Sequence, residues 1–264
     1  MPNTTRQIEN NMNNILYLSK QKNTPHQSLL SNPLAFKYLA FLGMLYLTIM
    51  LFNAILTNRY VGYNSFFVLG GTLTSPFVFL LDNIIAEIYG YKITRSIIIY
   101  AIVAQTIFVI LCQLIIQSPY PVVLKNNQDY SAILGASLLR IHLSGCFAYL
   151  LAILINTKIL TQWKVLLKGK KFWLRSLGAN FISEGLYSLI AIVLMEIQSI
   201  DISQILKILT ISYLIKLIYN ILLIYPLQLI VNYIRNQTGI DIYDFNYKFT
   251  PSKYYKLIER SKHA

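Results

Sequence analysis

Charge is what this sequence has least of. Asp, Glu, Lys and Arg together make up 12% of its 264 residues, about half of the roughly 25% usual in soluble domains. Only ten of these residues are acids, against 23 bases. So small a supply cannot clothe a water-soluble surface of ordinary size, which argues against an independent soluble domain. Cysteine is nearly absent. Cys112 and Cys146 both fall inside apolar runs and read as small hydrophobes, not as a disulfide or a metal pair. There is no H-E-x-x-H, no G-x-S-x-G, no glycine-rich phosphate loop and no His/Cys set with metal spacing, so no enzyme, cofactor or metal is expected. Proteolysis by paired aspartates within a membrane would need two deep Asp residues, and Asp82 alone qualifies. Residues 1–33 are polar and Asn-rich, without the apolar core of a signal peptide, and read as a loosely ordered cytoplasmic tail.

Apolar sequence is what the chain has in plenty. It is 55% hydrophobic, with a mean hydropathy of +0.51. Runs approaching or exceeding the ~20 residues that cross a bilayer begin near Leu34, Asn64, Ser96, Ala132, Leu177 and Ile205. The expected fold is therefore all-α: a bundle of six transmembrane helices over 34–234, with a basic cytoplasmic tail at 235–264. The second run is interrupted by Gly70, Gly71 and Pro76, which predicts a broken or kinked helix. The segment from Lys158 to Arg175, with Trp163 and Trp173 among lysines, suits an interfacial helix.

The net charge of +13 would suit a nucleic-acid partner, but its placement argues for a different origin. With the amino terminus inside, the inner flanks hold eighteen Lys and Arg residues, in clusters before Leu34, at Lys92 and Arg95, from Lys158 to Arg175, and after Ile234. The outer loops hold Arg59, Lys125 and Lys207. That is a positive-inside pattern, and an even number of spans places both termini in the cytoplasm. Contact to anionic lipid headgroups is expected, and none to nucleic acid directly.

Within the apolar runs, Asp82, Glu87, Arg140, His142, Glu184 and Lys216 are costly enough to be functional candidates. Asn83 and Glu87 lie one helical turn apart on one face. Asn180, Glu184 and Ser188 make a polar stripe on the fifth run, and Lys216 is about eleven residues from either end of the sixth, too deep to reach water easily. Each has a plain alternative. Glu87 can be solvated beside Lys92, Arg140 can extend outward to the surface, and His142 can be a hydrogen-bonded packing residue.

The stretch PFVFLLDNIIAEIYGYKITR, residues 76–95, resembles the signature of the queuosine precursor transporter family, whose pattern reads about as P-x-x-F-x-x-x-D-I-x-x-E-V-Y-G-Y-x-x-A-R. FNAILTNR, RIHLSGCFAYLLAILINTKIL, KGKKFWLRSLGANFISEGLYSLI and LIKLIYNILLIYPLQLIVNYI are similar to further segments of the same family. The resemblance covers roughly residues 34–234. Two positions depart from the pattern: Asn83 stands where the family has Asp, with Asp82 displaced by one residue, and Tyr187 replaces an Asp of the fifth helix. The resemblance implies an inner-membrane protein of six helices, related in fold to the substrate-binding subunits of vitamin importers, that imports 7-cyano-7-deazaguanine or its aminomethyl relative for tRNA modification. It implies a substrate-binding set of Asn53, Asp82, Asn83, Glu87, Arg140, Glu184, Tyr187, Lys216 and Asn220. A carboxylate can accept the two adjacent N–H donors of a deazaguanine, a Lys, Arg or Asn can donate to its O6, and tyrosines can stack on the ring. Two alternatives stand beside it: import of another small heterocycle, and a membrane substrate-binding subunit that works with a partner ATPase.

Overall fold

A computed structural model describes residues 32–63, 66–119, 127–197 and 200–242. The expected cytoplasmic tails lie almost wholly outside the described residues. In chain order the elements are α1 (Pro33–Leu56), the hairpin strands β1 (Tyr60–Tyr63) and β2 (Phe66–Leu69), α2 (Gly71–Ile116), α3 (Asn127–Leu134), α4 (Ala136–Leu166), α5 (Phe172–Glu196) and α6 (Ile202–Thr238). The described residues are 85% helical. Five of its helical stretches are long and apolar enough to cross a membrane, and large apolar side chains such as Phe36, Phe41, Ile115, Phe147, Phe181 and Leu222 lie exposed on their outer faces. In hydrocarbon such exposure carries no penalty, because the solvent is as apolar as the side chain.

Helix α2 runs for 46 residues, roughly 70 Å if straight, more than twice the ~30 Å of a bilayer's hydrocarbon core. It is not straight. Gly90 has φ 79° and ψ 172°, a non-helical conformation inside the helix. The two arms differ in burial. From Gly71 to Gly90 nearly every residue is buried, so this arm is the centre of the bundle. Beyond Gly90 the buried residues are Thr94, Ile98, Ala101, Gln105 and Val109, a single stripe at helical spacing on a peripheral arm. The expected break therefore lies at Gly90. Pro76 is accommodated within the first arm, and Gly71 is used for close approach instead: a Cβ there would stand 1.9 Å from Thr57 Oγ1 at the end of α1.

Two other boundaries differ from those expected. The segment after Asn64 is a strand, and α2 begins only at Gly71. The basic linker is not a separate interfacial helix: α4 continues through Trp163 to Leu166, and the turn into α5 is confined to the few residues before Phe172. Its reversal uses positive φ at Lys168, Gly169 and Lys171.

A bend in a helix frees carbonyls that hydrocarbon cannot satisfy, and here other elements supply the donors. Lys164 Nζ donates to the Glu87 carbonyl at 2.5 Å, the Ile242 amide donates to the Ile88 carbonyl at 3.0 Å, and Thr94 Oγ1 donates to the Gly90 carbonyl at 2.8 Å. The Tyr89 hydroxyl ties the bend to α1 through the Ala35 carbonyl at 2.9 Å. The backbone at Gly90 lies where only glycine is comfortable. Gly90→Ala is expected to cost about 1–3 kcal/mol and to lower the midpoint of thermal unfolding in detergent by several degrees, whereas Ala101→Gly, within the peripheral arm, should cost about 1 kcal/mol or less.

Candidate functional site

Three buried polar regions lie along the bundle, and sequence alone does not separate them. The first is a cluster of ions around the Gly90 bend. Arg175 grips Glu87 with both guanidinium arms, Nη1 to Oε2 at 2.7 Å and Nη2 to Oε1 at 2.8 Å. Arg235 donates to Oε1 from the end of α6 and also meets Asp241 at 2.9 Å. Lys164 reaches Asp241 at 2.5 Å. Glu87 and Arg175 are wholly buried. Both carboxylate oxygens of Glu87 are thus occupied by cations from α5 and α6, which binds the ends of α2, α4, α5 and α6 to one another.

The second region is a chain of four amides, one from each of α2, α4, α5 and α6. Asn156 Nδ2 donates to Asp82 Oδ2 at 3.0 Å and to Asn83 Oδ1 at 2.7 Å. Asn83 Nδ2 donates to Ser176 Oγ and to Asn180 Oδ1, both at 2.8 Å. Asn180 Nδ2 donates to Asn220 Oδ1, and Asn220 Nδ2 donates to Glu184 Oε2 at 2.9 Å. Asp82 and Glu184 are therefore the acceptors at the two ends of one hydrogen-bonded series. Ser183 Oγ donates to Asn156 Oδ1 at 3.0 Å, and Thr157 Oγ1 to Asp82 Oδ2 at 3.1 Å. All of these side chains are buried. Next to Glu184, Lys216 Nζ donates to Ser188 Oγ at 2.8 Å and lies 4.6 Å from the centre of the Tyr187 ring. Glu184 Oε1 and Asp82 Oδ1 are buried and have no hydrogen-bond partner among the described residues.

The third region is a small cavity between α1, α2, α4 and α5, with about 40 Å³ of space open to water. Polar groups reach it from Asn53, Ser75, Gln105 and His142, and aromatic groups from Phe79, Tyr149 and Tyr187. The three rings meet edge to face, with centroids 5.7 Å apart for Phe79–Tyr149 and Phe79–Tyr187, and 6.3 Å for Tyr149–Tyr187. They form the wall between the cavity and the amide chain. Asn53 Oδ1 accepts from Thr74 Oγ1 at 2.6 Å, and its side chain is within hydrogen-bonding reach of the Tyr187 hydroxyl.

Of the residues expected to bind substrate, Asn53 and Tyr187 line the cavity. Glu184, Lys216 and Asn220 lie together behind Tyr187. Asp82 and Asn83 belong to the amide chain, and Glu87 to the ion cluster at the bend. Arg140 is exposed near the outer end of α4, within electrostatic range of Tyr60. That tyrosine of the hairpin donates to Glu196 Oε2 at 2.7 Å, and burial, followed by this bond, raises its hydroxyl above its ordinary pKa. His142 is a packing residue bonded to Thr106 Oγ1 at 3.0 Å. Sequence reasoning missed Tyr46, Phe79 and Gln105 in the cavity region, and Lys164, Arg235 and Asp241 at the bend. The last three carried a weak signal: Asp241 is one of the few acids in the basic flank after α6, where lysine and arginine are at hand as partners.

The fold and these buried polar groups define a multi-pass membrane protein with a polar interior and a small aromatic-walled cavity. Residues 69–231 match the family described as "putative vitamin uptake transporter". The match covers more than half of the chain, and the chain belongs to that family. No curated protein and no solved structure matches the chain.

The bidentate pair at the bend has a measurable consequence. Glu87→Gln leaves the buried Arg175 without its counter-charge, a change that typically costs about 3–5 kcal/mol. The expected result is a sharp fall in folded yield and in thermal stability in detergent. Arg235→Gln should cost distinctly less, because the Arg235 side chain is 19% exposed and Arg175 still holds Glu87.

Proposed function

We propose that the chain is a six-span importer of a queuosine precursor, 7-cyano-7-deazaguanine or a closely related deazapurine, in an inner membrane. The single observation that carries this reading is the cavity walled by Phe79, Tyr149 and Tyr187, with the unsatisfied Glu184 carboxylate and Lys216 directly behind Tyr187. A flat heterocycle stacks on such rings. Rotation of Tyr187 opens the wall, and Glu184 Oε1 then accepts from adjacent ring N–H donors while Lys216 donates to the ring carbonyl. Asn53, at the cavity margin, is held by Thr74 and supplies a further amide. Nothing comparable is available at Glu87, whose oxygens are taken. The substitution of Tyr187 for the family's Asp falls on this wall, so it bears on which heterocycle is accepted.

Six spans follow from counting the two arms of α2 separately, since each is roughly 20 residues or more and either can cross a bilayer. Both ends of the chain then share the side of the Lys158–Arg175 turn, which is the basic and hence cytoplasmic side. In a background with Cys112 and Cys146 replaced by serine, a cysteine at Asp201 should react with an impermeant maleimide applied outside. A cysteine at Lys170 should react only after permeabilisation. The reverse pattern would invert the helix directions.

The substrate is tested by rescue of queuosine in tRNA in cells that cannot make the precursor. Expression of the chain with 7-cyano-7-deazaguanine in the medium should restore the modification. Lys216→Met should abolish rescue while the protein remains in the membrane. Glu184→Gln keeps the shape but removes charge from the acceptor, and should weaken ligand binding by roughly a hundredfold if both donors meet that carboxylate. Rescue by unrelated heterocycles alone would reassign the substrate, and rescue only with a co-expressed ATPase would make the chain a binding subunit.

A further inference from the structure

Every buried cation among the described residues is committed to a partner other than Asp82. Arg175 and Arg235 hold Glu87, Lys164 holds Asp241, and Lys216 lies between Ser188, the Tyr187 ring and Glu184. Asp82 is fully buried. Its Oδ2 accepts from two neutral groups, Asn156 and Thr157, and its Oδ1 has no partner among the described residues. The titratable groups that face it are hydroxyls: Tyr46 from α1 and Tyr149 from α4, joined to each other by a hydrogen bond. On α5 and α6 the nearest charged groups are Glu184 and Arg175, and Lys216 and Arg235, each engaged as above; on its own helix it is Glu87. An uncompensated carboxylate is not tolerated in the interior of a membrane bundle and must acquire a positive charge from elsewhere.

We infer that Asp82 is the site of a coupling proton, taken up from the cavity and released to the cytoplasm in step with import. This inference rests on the importer reading above. Tyr149 lines the cavity, and its hydroxyl pair with Tyr46 bridges the cavity to the region of Asp82. Uptake is a proton relay. Hydronium in the cavity transfers a proton to the Tyr149 oxygen, the Tyr149 proton passes to Tyr46, and the Tyr46 proton passes to Asp82 Oδ1. The hydronium becomes water, both tyrosines end neutral, and the carboxylate becomes a carboxylic acid. Release breaks the Asp82 O–H bond and passes the proton to a water admitted from the cytoplasmic side, which leaves as hydronium while Asp82 returns to the carboxylate. A proton fits better than a metal cation because the oxygens beside Asp82 are already in use: Asn83 Oδ1, Asn156 Oδ1 and Asn180 Oδ1 each accept a hydrogen bond. A sodium ion would have to break that set, whereas a proton needs only the vacant Oδ1. The amide chain from Asp82 to Glu184 then gives a physical connection between the proton site and the pocket behind Tyr187.

The test uses the full chain in proteoliposomes, with the membrane potential clamped at zero and labelled 7-cyano-7-deazaguanine as the probe. With the outside one pH unit more acid, the unmodified protein should accumulate the probe roughly tenfold, the limit for one proton per neutral substrate. Asp82→Asn should exchange the probe at equal pH on both sides but fail to accumulate it. Accumulation by Asp82→Asn, or accumulation by the unmodified protein under a sodium gradient but not a pH gradient, overturns the proposal. If the unmodified protein does not exchange the probe at all, the importer reading fails on its own. The proton site is then decided by infrared spectroscopy of the purified protein. A protonated carboxyl C=O band near neutral pH, absent from Asp82→Asn, supports it, and no difference between the two proteins refutes it.

Discussion

Hydrocarbon offers no partner to a polar group, and the interior of this bundle is organised by that fact. Four asparagines on four helices satisfy one another in series, and each amide both donates and accepts. An apolar core fixes helix spacing but tolerates small rotations and slides. A directed amide chain does not, because a slide of one residue on any helix would leave several buried donors unpaired. The series therefore sets the rotation of α2, α4, α5 and α6 together. That rotation places Phe79, Tyr149 and Tyr187 on the cavity side and Lys216 and Glu184 behind them. The small residues on α5, Ser176, Ala179 and Ser183, allow the approach that such short bonds demand.

Within one short stretch of α2 the polar residues then divide their tasks. Glu87 closes one end of the bundle by pairing with two arginines, one from the start of α5 and one from the end of α6. Gly90, just beyond it, turns the helix, and Lys164 serves both features by bonding the freed Glu87 carbonyl and Asp241. The aromatic wall lies more than two turns away, at Phe79. The ion cluster and the cavity are thus separated along the helix axis. This separation explains how a motif dense in charge can occur in an apolar run: its members are bonded to partners on other helices.

Much of this was legible in the sequence. The paucity of charge and the length of the apolar runs gave a membrane bundle, and burial stripes at helical spacing on α1 and α6 agree with that reading. Lys216 and Asn220 fall on the buried stripe of α6, as their depth in the run suggested. The polar stripe Asn180, Glu184, Ser188 on α5 is buried as a unit. What could not be read was pairing across helices. The spacing of Asn83 and Glu87 places both on one face of α2, yet it cannot reveal that Glu87 meets two guanidinium groups brought from 88 and 148 residues away. The bend was expected at Pro76 or the Gly70–Gly71 pair, because these break helices on intrinsic grounds. Gly90 was chosen by tertiary donors instead, and Lys164 and Ile242 come from elements distant in sequence.

The departure at position 83 becomes intelligible in this light. The pattern that the motif resembles carries Asp there, whereas this chain has Asn83 preceded by Asp82. Asn83 Nδ2 donates to Ser176 Oγ and Asn180 Oδ1 while its Oδ1 accepts from Asn156. An ionised Asp could accept but could not donate, so in this setting it would face the Asn180 carbonyl oxygen with no hydrogen to share. The carboxylate has instead moved one residue back, about a hundred degrees round the helix. There it keeps contact with Asn156 and Thr157 but turns from α5 toward the Tyr46–Tyr149 hydroxyl pair. The exchange keeps one acid in α2 while changing which neighbours it addresses. A protein with Asp at 83 would need a donor at 180 or a proton on the acid itself. This chain meets the same requirement with a neutral amide and places the acid at the end of the series, bonded to Asn156 and Thr157.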